Sequence, residues 1–155
     1  MRLYLVQHGE AVSETVDSER PLSPQGLGDV SALAAACRAH GLAAREILHS
    51  GRLRARQTAE ALAGALSLPL RQVPDIDPLS PVGPFARKCE EWTEGRIIVG
   101  HMPFLGRLAS LLLADREDPP AVAFQSGGMV CLEQQAPRGW CLLWTCFPSQ
   151  PHPGA

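Results

Sequence analysis

The sequence predicts an α/β domain whose sheet is mostly parallel and ends in a β-hairpin. Short apolar runs alternate with helix-period segments from the start of the chain, as in successive strand–helix units. Residues 127–134 and 140–147 are strand-like and are separated by a turn containing proline and glycine, which is typical of a hairpin. At 155 residues and 45% hydrophobic, the chain suits one domain over residues 1–147 that buries roughly two-thirds of its unfolded surface.

The first strand and the first helix have clear boundary residues. Residues 3–6 form a short apolar strand that breaks into Gln7-His8-Gly9-Glu10, and residues 11–22 are a polar loop. Ser23 is typical of a helix N-cap with a proline directly after it, and Gly41 is a plausible end for that helix. Apolar residues recur between them at helical spacing: Leu27, Val30, Ala34 and Cys37.

A second strand and helix follow. Residues 46–49 are predicted to form the strand, which ends in Ser50-Gly51. The next apolar residues again have helical spacing: Ala55, Ala59, Leu62 and Leu66. Five prolines between residues 69 and 84 exclude one long element there, although residues 70–73 fit a short strand. A modest helix is then predicted from three residues at positions i, i+4 and i+7: Phe85, Cys89 and Trp92.

Residues 96–99 predict another buried strand, which ends, like the first, in a glycine and a histidine, Gly100 and His101. Pro103 opens a helix with leucines on one side, and residues 115–121 form a charged, proline-containing loop before the hairpin. Residues 148–155 contain three prolines, and we expect them to be a flexible tail.

Charge and cysteine content exclude several functional classes. The net charge is −2, so there is no overall basic field for a nucleic acid or an anionic membrane. The five cysteines are odd in number and lack C-x-x-C spacing, which indicates free thiols in a reducing compartment. The apolar runs are too short for a signal peptide or a membrane span. We therefore expect a cytoplasmic protein without nucleic-acid or membrane partners.

Three polar segments come at the ends of predicted strands: His8, the Ser50–Arg54 turn and His101. The carboxyl ends of parallel strands meet at one edge of a sheet, where helix N-termini bind anions. Two imidazoles and an arginine at that edge indicate phosphate chemistry, with one imidazole as nucleophile and cations stabilising the phosphoryl oxygens.

Each of these residues also has a simpler structural explanation. A single histidine after a strand is often a hydrogen-bonded structural group. Arg52 and Arg56 lie one helical turn apart and predict a solvated basic face, whereas Arg54 points about 160° away from both. The five histidines have no H-x-x-x-H or H-E-x-x-H spacing, and no Walker or G-x-G-x-x-G motif follows a strand. The sequence therefore indicates neither a metal site nor a nucleotide cofactor.

Four segments resemble the histidine phosphatase superfamily, which has the phosphoglycerate mutase-like fold. Residues 5–10 resemble its Arg-His-Gly motif, and residues 20–26 resemble R-x-L-[ST]-x-x-G. Residues 50–59 resemble S-x-x-x-R-[AT]-x-x-T-A, and residues 99–101 resemble the strand that carries a second histidine. The small size and the lack of a large insertion are most similar to SixA-type phosphohistidine phosphatases. The resemblance implies a three-layer α/β/α sandwich and a phosphatase that needs no metal or cofactor.

The resemblance also implies roles for individual residues. His8 corresponds to the nucleophile, and His101 and Arg54 to phosphate ligands that stabilise the transferring group. Arg20 is implied as a further phosphate contact, with Gly9 beside the nucleophile. Gln7 takes the place of the usual arginine, and its neutral amide is expected to weaken phosphate binding by ~1 to 2 kcal/mol.

The sequence leaves the proton donor and the substrate open. Candidate donors are Glu10, Asp17, Asp75 and Asp77. Without the acidic insertion of larger members, the favoured substrate is phosphohistidine on a protein such as a histidine-phosphotransfer domain, because its nitrogen leaving group can already carry a proton. The alternatives are a small-molecule phosphomonoesterase and a non-catalytic module that binds a phosphorylated partner.

Overall fold

The protein is described by a computed structural model that covers residues 1–137 and 139–148. A six-stranded sheet lies between two pairs of helices. The strands are β1 (Arg2–Gln7), β2 (Glu46–His49), β3 (Leu70–Gln72), β4 (Arg96–Gly100), β5 (Met129–Gln135) and β6 (Gly139–Cys146). The helices are α1 (Pro24–Ala39), α2 (Leu53–Leu66), α3 (Val82–Glu91) and α4 (Phe104–Ala114). The predicted three-layer α/β/α sandwich is therefore confirmed.

The strand order is β3-β2-β4-β1-β5-β6, which puts β1 and β4 side by side in the middle of the sheet. Strands β1 to β4 are parallel, and the hairpin β5–β6 adds two antiparallel pairings at the other side of β1. Val6 is in register with Val99, and Gln7 with Gly100. The residues that follow these two strands, His8 and His101, consequently leave the sheet at the same edge.

Alternating side chains of β1 supply both faces of the core. Leu3 and Leu5 pack with α3 and α4 on one face, whereas Tyr4 and Val6 pack with α1 and α2 on the other. All four are at most 1% exposed. Complete burial of one such aliphatic side chain contributes about 1.5–3 kcal/mol, so both ends of the motif-bearing strand are held by the core.

Helix α1 begins where the sequence predicts. The Ser23 hydroxyl accepts from the Gly26 N–H at 3.0 Å, and Pro24 is the first helical residue. The buried stripe consists of Gly26, Val30, Leu33, Ala34 and Cys37. Leu27 does not belong to it, contrary to the predicted apolar face, because it lies one position past Gly26 and is 53% exposed.

The remaining elements differ from the predictions only at their ends. Helix α3 ends at Glu91, so Trp92 lies outside it, and β6 begins at Gly139. The Trp92 ring instead lies 4.4 Å below the Arg96 guanidinium carbon. Apart from Pro148, the predicted tail lies outside the described residues. No helix within residues 1–137 or 139–148 is long and apolar enough to cross a membrane.

Candidate active site

The two predicted histidines meet at the carboxyl edge of β1 and β4. Their ring centroids are 5.0 Å apart, with the planes inclined by 55°. The backbone N–H of His8 donates to the Gly100 carbonyl at 3.1 Å, which fixes the end of β1 against the residue that precedes His101. The sheet register alone therefore brings together two imidazoles that are 93 positions apart in the chain.

The hydrogen bonds of His8 fix its tautomer. Its Nδ1 lies 2.7 Å from the Gly9 carbonyl oxygen, and because a carbonyl can only accept, Nδ1 carries the proton. Arg54 Nε, which can only donate, lies 3.3 Å from Nε2 of His8. We assign the lone pair of the neutral ring to Nε2, so this is the ring atom that is able to act as a nucleophile.

The surroundings of His8 keep the ring neutral. Burial lowers its pKa from 6.5 to about 4, opposed by the hydrogen bond to Gly9, and the positive charges of Arg54 and Arg20 lower it further. The lone pair on Nε2 is consequently present throughout the neutral pH range. Burial and the two arginines thus keep the ring neutral without the positive charge that an arginine would add in place of Gln7.

His101 is held by the turn that follows β2. Its ring is 2% exposed, and Nε2 lies 2.6 Å from the Ser50 hydroxyl oxygen. That oxygen also accepts from the backbone N–H of Arg52 at 3.4 Å. The other ring nitrogen of His101, Nδ1, is buried and has no hydrogen-bond partner among the described residues.

Burial also lowers the pKa of His101, to about 3, with further contributions from His8 and from the positive charges of Arg54, Arg52 and Arg20. His101 is therefore neutral in the neutral pH range, and its ring lies next to that of His8.

Helix α2 positions Arg54 through the buried Thr58. The Thr58 hydroxyl accepts from the Gly9 N–H at 3.0 Å and donates to the Arg54 carbonyl at 2.8 Å. Its side chain is fully buried, so both bonds are shielded from water. Thr58 therefore links the first turn of α2 to the backbone next to His8.

Gly9 has no space for a side chain. A Cβ at this position would lie 2.7 Å from a methyl group of Val30 and 3.0 Å from the Gly26 carbonyl oxygen. Gly26 is restricted likewise, because its Cβ would lie 2.0 Å from the Glu10 carbonyl oxygen. The turn after β1 thus packs directly on α1, and this contact explains both glycines.

The Gln7 amide is hydrogen-bonded to the segment that precedes β5. Its Nε2 donates to the Ser126 hydroxyl at 3.3 Å, and its Oε1 is buried without a partner among the described residues. The same segment holds the Gln7 backbone, because the Gly127 N–H donates to the Gln7 carbonyl at 3.0 Å. The Gln7 amide nitrogen carries a second N–H besides the one that donates to Ser126.

Arginines surround the pair of histidines. Arg20, which has φ of 49°, donates from Nε to the Val12 carbonyl at 3.1 Å. Arg52 is half-exposed and pairs with Asp77 at 3.0 Å. Burial lowers the pKa of Arg54, and the charges of Arg20 and Arg52 lower it further, while Asp77 opposes the shift. Positive charge is thus concentrated at the carboxyl edge of the sheet, although the chain as a whole is acidic.

The basic face predicted for Arg52 and Arg56 is solvent-exposed, since their side chains are 47% and 51% exposed. Both are nevertheless ion-paired, Arg56 with Glu60. Arg52 also contributes to the site, because its charge is among those that lower the pKa of His101.

The four predicted proton donors occupy different environments. Glu10 is exposed and holds α1 through its backbone carbonyl, which accepts from the Ser23 N–H at 2.9 Å. Asp17 is exposed and accepts from the Glu19 N–H at 2.9 Å. Asp75 pairs with Lys88. Asp77 pairs with Arg52 and is the candidate whose charge acts on Arg54.

Sequence reasoning assigned no role to Ser50 or to Thr58 as individual residues. Both belong to the segment 50–59 that resembles the superfamily, so the sequence contains a signal for their positions. It contains no signal for the residues to which they hydrogen-bond. Within the described part of the chain, no three histidine, cysteine or carboxylate side chains group closely enough to hold a metal ion.

The chain belongs to the histidine phosphatase superfamily (branch 1), whose family model matches residues 3–80. Those residues contain β1, the turn with His8, and the segment with Arg54. The predicted family membership is therefore confirmed, and membership supports a phosphatase activity.

Individual relatives narrow the similarity to the SixA type. The phosphohistidine phosphatase SixA of Escherichia coli is 26% identical over 141 residues, which cover 86% of this chain and 87% of SixA. An uncharacterised protein of Picosynechococcus sp. is 36% identical over 120 residues, covering 72% of this chain and 73% of that protein. A structure of the protein histidine phosphatase SixA complexed with tungstate superposes with a TM-score of 0.82 at 23% identity, over 95% of this chain and 97% of that one.

Proposed function

We propose that this protein removes the phosphoryl group from phosphohistidine on another protein, through a covalent intermediate on His8. The observation that carries the proposal is the fixed tautomer of His8: Nδ1 donates to the Gly9 carbonyl at 2.7 Å, which leaves the Nε2 lone pair beside Arg54. A neutral, oriented imidazole with a cation next to its nucleophilic atom is suited to attack on phosphorus.

In the first step, Nε2 of His8 forms a bond to phosphorus while the bond from phosphorus to the leaving nitrogen breaks in line. Arg54 and His101 donate to the equatorial phosphoryl oxygens, with Arg20 as a further contact. Gln7 is a further contact through the amide N–H that is not bonded to Ser126. The leaving imidazole keeps the electron pair of the broken bond and needs one proton.

That proton comes from the substrate nitrogen itself when it is already protonated, or from a carboxylic acid. The candidates for that acid are Glu10, Asp17 and Asp77, of which Asp77 pairs with Arg52 in the turn that leads to Arg54. In the second step, water attacks phosphorus, the bond to Nε2 breaks, and inorganic phosphate leaves with His8 neutral again. Neither step requires a metal ion, so chelation with EDTA is expected to leave the rate unchanged.

The proposal is tested by trapping the intermediate. The protein is exposed briefly to a ³²P-labelled phosphohistidine protein, quenched, and mapped by proteolysis; an acid-labile label on His8 is expected. His8→Gln should abolish both label and turnover. His40→Gln, the same substitution at an exposed residue at the far end of α1, serves as the matched control and should keep both.

Three results would contradict the proposal in different ways. Label on another residue overturns the nucleophile, and turnover of p-nitrophenyl phosphate without turnover of phosphohistidine overturns the substrate. Binding of the phosphoprotein without any turnover identifies a phosphate-binding module instead of an enzyme.

A further inference from the structure

Three exposed apolar side chains lie on three separate loops that leave the carboxyl edge of the sheet. Val16 is 76% exposed, Leu79 is 82% exposed and Met102 is 38% exposed. Their loops follow β1, β3 and β4, and all three begin at the carboxyl edge of the sheet, where His8 and His101 lie. We call these three side chains the apolar rim.

Hydrogen bonds and ion pairs fix these loops next to the site. The Arg20 Nε bond to the Val12 carbonyl closes the loop that carries Val16, and the charge of Arg20 acts on His8. The loop with Leu79 is tied by the ion pair between Asp77 and Arg52 and by a turn from the Ser80 N–H to the Asp77 carbonyl at 3.0 Å. Met102 directly follows His101.

The first of these loops is acidic. Four exposed carboxylates lie on it or directly before it: Glu10, Glu14, Asp17 and Glu19. None of them forms an ion pair with another of the described residues. The positively charged phosphate site is thus bordered by negative charge and exposed apolar surface.

A free phosphorylated metabolite gains little from such a border, because its own anionic groups are repelled by the carboxylates and it is too small to cover the rim. A protein surface can bury the apolar rim and pair cations with the carboxylates while its phosphoryl group enters the site. Because those carboxylates have no internal partners, the complementary surface is basic as well as apolar.

We propose that the apolar rim and the acidic loop are a docking surface for a protein whose phosphorylated residue is flanked by basic and apolar side chains. The inference rests on the proposed function, since it describes the substrate of the same site. It adds a specificity determinant outside the phosphate-binding residues.

Two short phosphohistidine peptides test it, one with lysine and leucine around the phosphohistidine and one with glutamate and serine. The parent should show a kcat/KM at least about tenfold higher on the lysine–leucine peptide than on the glutamate–serine peptide, as expected for one good interface contact. Free phosphohistidine serves as the small substrate for comparison. Val16→Ser combined with Leu79→Ser should remove most of this preference without slowing free phosphohistidine.

Leu142→Ser is the matched control, because Leu142 is 45% exposed on β6, away from these loops, and it should change none of the three rates. Glu14→Gln combined with Glu19→Gln should reduce the preference and its sensitivity to salt. Equal rates on both peptides, or an equal loss on free phosphohistidine in the rim variant, would overturn the docking surface.

Binding measurements separate this inference from the proposed function. Fluorescence anisotropy with both labelled phosphopeptides and the His8→Ala variant requires no turnover. If the parent hydrolyses no phosphohistidine, tighter binding of the lysine–leucine peptide, lost in the rim variant, still supports the docking surface. Equal affinities for the two peptides would refute it even if the parent is an active phosphohistidine phosphatase.

Discussion

Arg54 Nε donates to Nε2 of His8 over 3.3 Å, so the guanidinium contacts the atom that is proposed to attack phosphorus. In the proposed mechanism, the same side chain first orients the nucleophile and then donates to a phosphoryl oxygen in the transition state.

Arg54→Gln is expected to lower kcat about 100-fold, the usual result when one donor to a developing oxyanion is removed. Steady-state kinetics on phosphohistidine give the value. Arg56→Gln, two residues along α2 and 51% exposed, is the control and should remain near the parent. Similar losses in both variants would show that general charge on α2, and not the contact with His8, is responsible.

Thr58→Val should affect both stability and catalysis. The substitution keeps the shape but removes the hydroxyl that accepts from the buried Gly9 N–H, and an unsatisfied buried donor costs about 1–3 kcal/mol. Urea unfolding should show that loss. We also expect kcat to fall more than KM rises, because the turn beside His8 loses its link to α2.

Thr58→Ser, which retains the hydroxyl, should restore most of kcat. If Thr58→Val lowers the free energy of unfolding while kcat remains at the parent value, Thr58 is a structural residue without influence on the site.

The elements of this fold could be predicted because local patterns specify them. Ser23-Pro24 marks the start of α1. The apolar run of β1 is followed by Gln7, His8 and Gly9, and that of β4 by Gly100 and His101. The convergence of His8 and His101 also follows from the sequence once the strands are taken as parallel, since carboxyl ends share an edge.

The hydrogen bonds of the site could not be predicted in the same way, because they depend on register and on side-chain direction across long separations. Ser50 reaches His101 over 51 positions, and Gln7 reaches Ser126 over 119. Leu27 shows the same limit within one helix: its spacing fits an apolar stripe, but the helix rotation places Gly26 against the turn.

Gln7→Arg should raise activity about tenfold, because a charge-assisted bond to phosphate is about twice as strong as a neutral one. The added charge next to His8 should also move the acid limb of the pH–rate profile below its position in the parent, where the pKa of His8 is about 4. Initial rates between pH 3.5 and 8 measure both effects.

Gln7→Met, similar in length and uncharged, controls for loss of the bond to Ser126 and should not gain activity. An arginine variant with the rate and pH profile of the parent would mean that the side chain at position 7 stays directed toward Ser126 and does not reach phosphate.

Acidification should destabilise the fold through its buried histidines. Burial lowers the pKa of His8 to about 4 and that of His101 to about 3, from 6.5 in the unfolded chain. Between these values the unfolded state binds more protons than the folded state, so the free energy of unfolding rises with pH and falls as pH drops below 6.5. The contribution of these two histidines to the free energy of unfolding is complete above pH 6.5 and is lost progressively toward pH 3.

Each unit of pKa difference corresponds to about 1.4 kcal/mol, which makes the slope measurable by urea unfolding at pH 7, 5 and 4. His8→Gln combined with His101→Gln should flatten it. Some slope should remain, because burial also lowers the pKa of His49, which is 3% exposed. A double variant with the full slope of the parent would show that folding does not lower the pKa of the two site histidines, and the account of a nucleophile kept neutral by burial would then be wrong.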